Sequence, residues 1–243
     1  MKRTFAIGDI HGGFKALKQL IENLQITKDD VLIFLGDYVD GWSESAQVIS
    51  YLIDLSKTNT CTFIKGNHDA WCEQWLASGF INEVWYQHGG KESIESYIGV
   101  SDHDKKMHLK FFEDLAMYHI DAKNRLFLHA GFTSMHGVNK EFNIQNFYFD
   151  RTLWEMALTM DKRIEKHSEL YPNRLKHYSE IYIGHTPTTN YSQTRPMNAV
   201  NVWNVDTGAA FKGPLSAIDV DTKEVFQTDR VMDYYPNETG RNK

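Results

Sequence analysis

Cysteine is scarce: Cys61 and Cys72 are the two in 243 residues. They lack a CxxC spacing and are too few for a disulfide framework. A reducing cytoplasm is therefore the expected setting, with two core thiols as the simplest reading. Proline is also rare, at five residues, and no Pro/Gly/Ser-rich tract or internal repeat divides the chain. No apolar run approaches the ~18 residues that a membrane span needs. The apolar stretch before Asp9 is too short for the core of a secretory signal. Positive charge is not in excess, since the formal net charge is −6. That argues against a broad basic surface for nucleic acid polymers or anionic membrane. It leaves room for a small phosphorylated substrate, because bound divalent metals reverse the charge locally.

What is present is an ordinary globular composition, 42% hydrophobic and 24% charged. One domain over residues 1–232 is expected, followed by a polar, frayed tail over 233–243. The first part alternates strand and helix patterns: Thr4–Gly8, Phe14–Leu24, Val31–Leu35, Ala46–Leu55, Cys61–Ile64 and Ala70–Ala77. Val31–Leu35 is continuously apolar, as a strand covered on both faces should be. This order predicts a parallel sheet with crossover helices. The pattern loosens around Gly89-Gly90, and a helix is expected over Lys110–Met117. Short strand patterns then follow at Arg125–Leu128, Ile181–Ile183, Val200–Val205, Leu215–Val220 and Val225–Thr228, interrupted by a helical pattern over Leu153–Ile164. The prediction is an α/β fold, a two-sheet β-sandwich flanked by helices.

The informative feature is how the apolar runs end. FAIGDIHG, VLIFLGDYVDG, FIKGNHDAW, RLFLHAG and IYIGHTP each close on glycine, a metal-ligand type, or both. Ligands of open α/β sheets gather beyond the carboxyl ends of the strands. Asp9, His11, Asp37, Asn67, His129 and His185 should therefore converge on one spot. Asp9 and His11 are two apart, so an extended segment would point both the same way. Gly8, Gly36, Gly66 and Gly184 precede Asp9, Asp37, Asn67 and His185, permitting sharp turns and close approach of neighbouring loops. Mixed carboxylate, amide and imidazole ligands suit Mn, Fe or Zn better than Ca, with manganese the first expectation. A structural zinc site would be richer in cysteine.

GDIHG, GDYVD, GNHD, HAG and GHTP together resemble the five motifs of the calcineurin-like metallophosphoesterases. Within that superfamily the chain is most similar to the branch of bacterial serine/threonine protein phosphatases and symmetrical dinucleoside tetraphosphatases. NVDTGAAFKGPLSAIDV is similar to the closing strands of the family. The resemblance implies that Asp9, His11 and a bridging Asp37 hold one metal, while Asp37, Asn67, His129 and His185 hold a second. It further implies that His68 acts at the leaving-group oxygen, with Asp40 fixing its ring, and that water shared by the metals attacks phosphorus. The expected activity is metal-dependent hydrolysis of phosphate monoesters, first of all phosphoproteins. Symmetrical cleavage of dinucleoside tetraphosphates is the alternative, and an inactive binding protein on the same fold is a reading of another class.

One departure bears on substrate. The protein phosphatases of this branch carry arginine after the second Asp of GDYVD, whereas Gly41-Trp42 follows Asp40 here. Arg151 is the candidate substitute for its grip on substrate phosphate, a structural salt bridge being the other reading. Asp206 is either a neighbour of the metal ligands or part of a strand-ending turn. Trp71 and Trp75 read as core packing. Trp42, Trp85 and His88 are candidates for the pocket rim, and His136 for a place behind His129.

Overall fold

A computed structural model describes residues 2–242. The strands are β1 (Thr4–Ile7), β2 (Val31–Phe34), β3 (Thr60–Phe63), β4 (Tyr118–Ile120), β5 (Arg125–Leu128), β6 (Glu180–Ile183), β7 (Met197–Ala199), β8 (Val202–Asn204), β9 (Pro214–Asp219) and β10 (Val225–Arg230). They form two five-stranded sheets, ordered β10-β9-β1-β2-β3 and β4-β5-β6-β8-β7. Strands β1, β2 and β3 run parallel, as do β5, β6 and β8. Antiparallel β9, β10, β4 and β7 flank these parallel centres.

The pleat explains why the central strands are apolar throughout. On β1, Phe5 and Ile7 face the helices while Ala6 faces the other sheet. On β5, Leu126 and Leu128 point outward and Phe127 inward, and β6 repeats this with Ile181, Ile183 and Tyr182. Successive side chains on a strand face opposite ways, so both faces here are covered and both need apolar residues. Phe127 and Tyr182 stack in the middle layer, rings 4.9 Å apart and 11° from parallel.

Helices α1 (Phe14–Leu24) and α2 (Ser45–Leu55) bury Leu17, Leu20, Leu24, Val48, Ile49 and Leu52 against the outer face of the first sheet. Helix α3 (Asn67–Ser78) starts immediately beyond β3 and ends at Gly79, whose φ of +74° is readily adopted by glycine. Among the described residues no helix is long and apolar enough to cross a membrane.

Some expected boundaries move. The helix expected over Lys110–Met117 runs over Asp102–Glu113, and Ala116 instead pairs its backbone with Phe63 and Lys65. Extending the helix would sacrifice that tie between the sheet and the α3 region. The helix expected over Leu153–Ile164 stops at Thr159. The segment around Gly89-Gly90 is helical but kinked, with Gly89 at φ +111°. The described part of the tail expected to fray, residues 233–242, is instead packed, and Lys243 lies outside the described residues. Tyr235 is buried against Trp42 and the chain remains in contact through Arg241.

Candidate metal centre

The carboxyl ends of β1, β2, β3, β5, β6 and β8 deliver Asp9, Asp37, Asn67, His129, His185 and Asp206 to one buried cluster. His11 joins it, though not from an extended strand. Its backbone turns into the left-handed region at φ +53°, and that turn brings its Nε2 to 3.9 Å from Asp9. Asp37, Asp40 and His185 also have positive φ values, of +53°, +75° and +67°. Backbone strain of this kind persists only where surrounding contacts over-determine it.

Those contacts are on the neighbouring loops. A Cβ on Gly66 would lie 2.1 Å from Asp37 Oδ1, and one on Gly184 would lie 2.1 Å from Asp9 Oδ1. Each glycine therefore leaves space for a carboxylate from another strand. Asp69 ties two loops together, its carboxylate accepting from the backbone N–H groups of Gly66, Asp37 and Tyr38 at 2.8, 2.7 and 2.9 Å.

Asp37 sits in the middle. Its Oδ2 is 3.6 Å from His11 Nε2 and 3.4 Å from His129 Nε2. Two groups able to hold a cation share it: His11, Asp37 and His68 on one side, Asp37, His129 and His185 on the other. Asn67 Oδ1 lies 3.3 Å from His129 Nε2. The His185 backbone N–H donates to Asp9 Oδ2 at 3.1 Å.

The donor chemistry fits divalent cations. His129 Nδ1 faces the Leu35 carbonyl at 2.7 Å, and His11 Nδ1 faces the carbonyls of Val39 and Asp40 at 3.2 and 3.1 Å. Carbonyls accept, so both rings carry a proton on Nδ1 and aim Nε2 at Asp37, where a cation would take the Nε2 lone pair, on His129 once its second proton is lost. His185 Nε2 is buried with no hydrogen-bond partner, which suits an atom meant for a metal.

Charge tells the same story. Burial, then the neighbouring charge of Asp206, pushes the Asp9 carboxyl well above its ordinary range. Burial opposes ionisation of Asp37, but the charge of His129 beside it holds it well below the usual carboxylate range. Burial also pushes Asp206 up, to about 6. Carboxylates buried and crowded in this way call for cations.

His68 lies against this cluster, its ring 5.0 Å from that of His11. Its Nδ1 meets Asp40 Oδ2 at 2.6 Å. Asp40 also accepts from Trp85 Nε1 and Ser93 Oγ, each at 2.6 Å. Burial pushes Asp40 up to about 8 and His68 down to about 3. Near neutral pH the pair thus holds two protons, the same count as an imidazolium beside a carboxylate, and the short contact lets one cross. The pair can deliver a proton from His68 Nε2.

A model of the calcineurin-like phosphoesterase family matches residues 2–211. The chain belongs to that family. Its members use a dimetal centre, and the chain is a metal-dependent hydrolase of phosphate esters. A bis(5'-nucleosyl)-tetraphosphatase PrpE of Anoxybacillus flavithermus, named as asymmetrical, is 28% identical over 94% of both chains. One of the same name from Bacillus cereus is 26% identical over 95% of both. In fold, the chain resembles a protein serine/threonine phosphatase from Saccharomyces cerevisiae, with a TM-score of 0.61 at 15% identity, covering 93% of this chain and 79% of that one.

The other sequence candidates divide. Arg151 reaches the edge of the centre, its guanidinium donating to Thr186 Oγ1 at 3.0 Å, and it forms no salt bridge among the described residues. Asp206 fulfils both of its readings, facing Asp9 electrostatically and accepting the turn N–H of Gly208 at 2.9 Å. Trp42 and Trp85 are fully buried rather than at a rim, because each indole N–H is used inside: Trp42 donates to the Ala209 carbonyl and Trp85 to Asp40. His88 is exposed and bonded to the Val84 carbonyl, and His136 is exposed. Trp75 packs against Trp85 and Tyr97, while Trp71 lies edge-on to His68. Sequence reasoning did not assign Ser93 and Trp85 to Asp40. The one signal near them was the loosened pattern around Gly89-Gly90, which lies between the two.

Proposed function

We propose that this chain is a dimetal phosphohydrolase that cleaves dinucleoside polyphosphates in preference to phosphoproteins. The observation that carries the chemistry is the convergence on Asp37 of two donor groups with imidazole Nε2 atoms turned inward. The substrate class is supported by likeness to the tetraphosphatases along nearly the whole chain. Asp9, His11 and Asp37 would hold one ion, and Asp37, Asn67, His129 and His185 the other. Manganese is the first choice for both, ahead of iron or zinc, given carboxylate, amide and imidazole donors without thiolate. Two divalent ions would lower the pKa of water between them and polarise the phosphoryl oxygens.

The protein's own residues would supply the remainder. His68 would donate a proton to the leaving oxygen, and Asp40, fixed by Ser93 and Trp85, would keep the imidazole oriented. Arg151 would hold a substrate oxygen near His185, where its guanidinium already meets Thr186. The burial of the cluster keeps bulk water from competing for these charges. The two cysteines are unpaired, in keeping with a cytoplasmic setting.

Phosphate monoester hydrolysis is the second reading, since the same donor set would serve it. Manganese-loaded protein should cleave diadenosine tetraphosphate with higher kcat/KM than p-nitrophenyl phosphate or a phosphopeptide. ATP plus AMP as products would mean asymmetrical cleavage, and two ADP symmetrical cleavage. A preference for the phosphopeptide would overturn the substrate proposal. No turnover of any ester in protein holding two metals would favour the inactive binding protein.

A further inference from the structure

The end of the chain is fastened beside the site by several independent contacts. Tyr235 stacks on Trp42 with ring centroids 5.2 Å apart. The Glu238 carboxylate accepts from the Ser43 backbone N–H and hydroxyl at 3.0 and 2.7 Å. Gly240 lies so close to the Trp42 ring that a Cβ there would come within 2.7 Å of it. The Arg241 backbone N–H donates to the Ala210 carbonyl at 2.9 Å. These contacts lead the Arg241 side chain across Gly41, the residue that follows Asp40. A Cβ on Gly41 would lie 3.2 Å from Arg241 Cγ, and Gly41 itself has a φ of +109°. The glycine thus both makes the turn and leaves room for the arginine stem.

Arg241 is half-buried, and its guanidinium carbon lies 5.3 Å from the centroid of the Phe211 ring. Among the described residues no Asp or Glu forms an ion pair with it. Every other partly buried arginine near a carboxylate is paired in this fold, as Arg3 is with Asp30 and Arg125 with Asp121. Arg241 therefore keeps its five donors and its charge for something else. Its side chain crosses Gly41, where a Cβ would lie 3.2 Å from Arg241 Cγ and 3.5 Å from the His11 carbonyl oxygen, so it stands beside the loops that carry His11 and Asp40. Arg151 stands beside the other donor group, its guanidinium 3.5 Å from the His185 carbonyl. Each of the two groups around Asp37 thus has one arginine beside it.

We propose that Arg241 binds a phosphoryl group of the substrate on the side of His11, Asp37 and His68, complementing Arg151 beside His185. The proposal rests on the hydrolase reading above and deepens it: two cations flanking the centre suit a substrate with more than one phosphate. A planar guanidinium can hold two oxygens of one phosphoryl group at once. Gly41 stands where the resembling phosphatases carry an arginine, and Trp42 follows it. Here the same two residues form the seat on which the C-terminal segment delivers one.

The test uses the full-length, metal-loaded chain and inorganic phosphate as probe. Phosphate affinity is measured by titration calorimetry for the parent, R241Q and R241K, with metal content and thermal midpoint recorded for each. R241Q should bind phosphate about 10- to 100-fold more weakly, the scale of a lost charge-assisted pair. Its KM for diadenosine tetraphosphate should rise by a similar factor, with metal content and thermal midpoint unchanged. R241K should fall between, because lysine keeps the charge but not the fork. Phosphate affinity in R241Q within twofold of the parent would overturn the proposal. So would an R241K that binds as poorly as R241Q and has a lowered thermal midpoint, since that marks a structural role. A parent that turns over no ester would instead count against the hydrolase reading, and the phosphate titration would still judge Arg241.

Discussion

At the scale of single residues, His68 is where geometry and proton count meet. It touches Asp40 through Nδ1 and the metal-binding cluster through the edge of its ring. If its work is proton transfer, His68→Asn should lower kcat by about 10²- to 10⁴-fold, the usual contribution of a positioned acid. Metal content, measured by elemental analysis, should stay near that of the parent, because Asp9, His11 and Asp37 remain for one ion and Asn67, His129 and His185 for the other. Loss of a metal along with turnover would make His68 a ligand, in line with its place in the group with His11 and Asp37. Residues such as these were legible in the sequence because each stands next to a strand end, so local pattern alone positions it. Ser93 and Trp85 were not. Their bonds to Asp40 span 53 and 45 residues, and no local pattern encodes which helix face will meet a distant loop.

At the scale of elements, the strand-to-loop junctions decide whether the centre forms. Gly66 ends the β3 connection and begins α3, and a side chain there would strike the Asp37 carboxylate and backbone N–H at 2.1 and 2.4 Å. Neither can retreat, since Asp37 Oδ1 also accepts from the His68 backbone N–H at 3.0 Å. Gly66→Ala should therefore cost about 1–3 kcal/mol in overpacking, and more if the loop cannot relax. At ~2–4 °C per kcal/mol for a chain of this size, that is a thermal midpoint several degrees lower. Metal stoichiometry should fall with it, whereas Gly79→Ala, beside open space, should leave the metals in place. A Gly66→Ala protein with normal stability and two metals would show that the close approach does not matter. The sequence foretold these glycines because a glycine before each ligand is a local signal. It did not foretell the fastening of residues 235–241, since a polar composition predicts exposure and the anchoring partner, Trp42, lies far away in the chain.

At the scale of the whole molecule, two sheets bring the charged loops at their strands' carboxyl ends into one buried cluster, and folding must tolerate that charge. Metal binding should therefore stabilise the entire fold. At a free-ion concentration one hundred times Kd the gain is about 2.7 kcal/mol. That corresponds to roughly 5–10 °C at ~2–4 °C per kcal/mol. The gain should depend on pH in a definite direction. Without metal, Asp9 is pushed up by burial, so it holds its proton beyond the ordinary carboxylate range. Burial opposes a proton on His129, but Asp37 and Asp9 raise it to about 10. Both groups must lose a proton to offer a lone pair to a cation, so binding releases protons and strengthens as pH rises. His11 and His185 are held neutral by burial and add nothing to this release. The manganese-induced rise in thermal midpoint should accordingly grow between pH 5 and pH 8, as followed by scanning calorimetry with and without chelator. A rise that stays constant, or shrinks, over that range would mean that Asp9 and His129 do not meet the metal as bases.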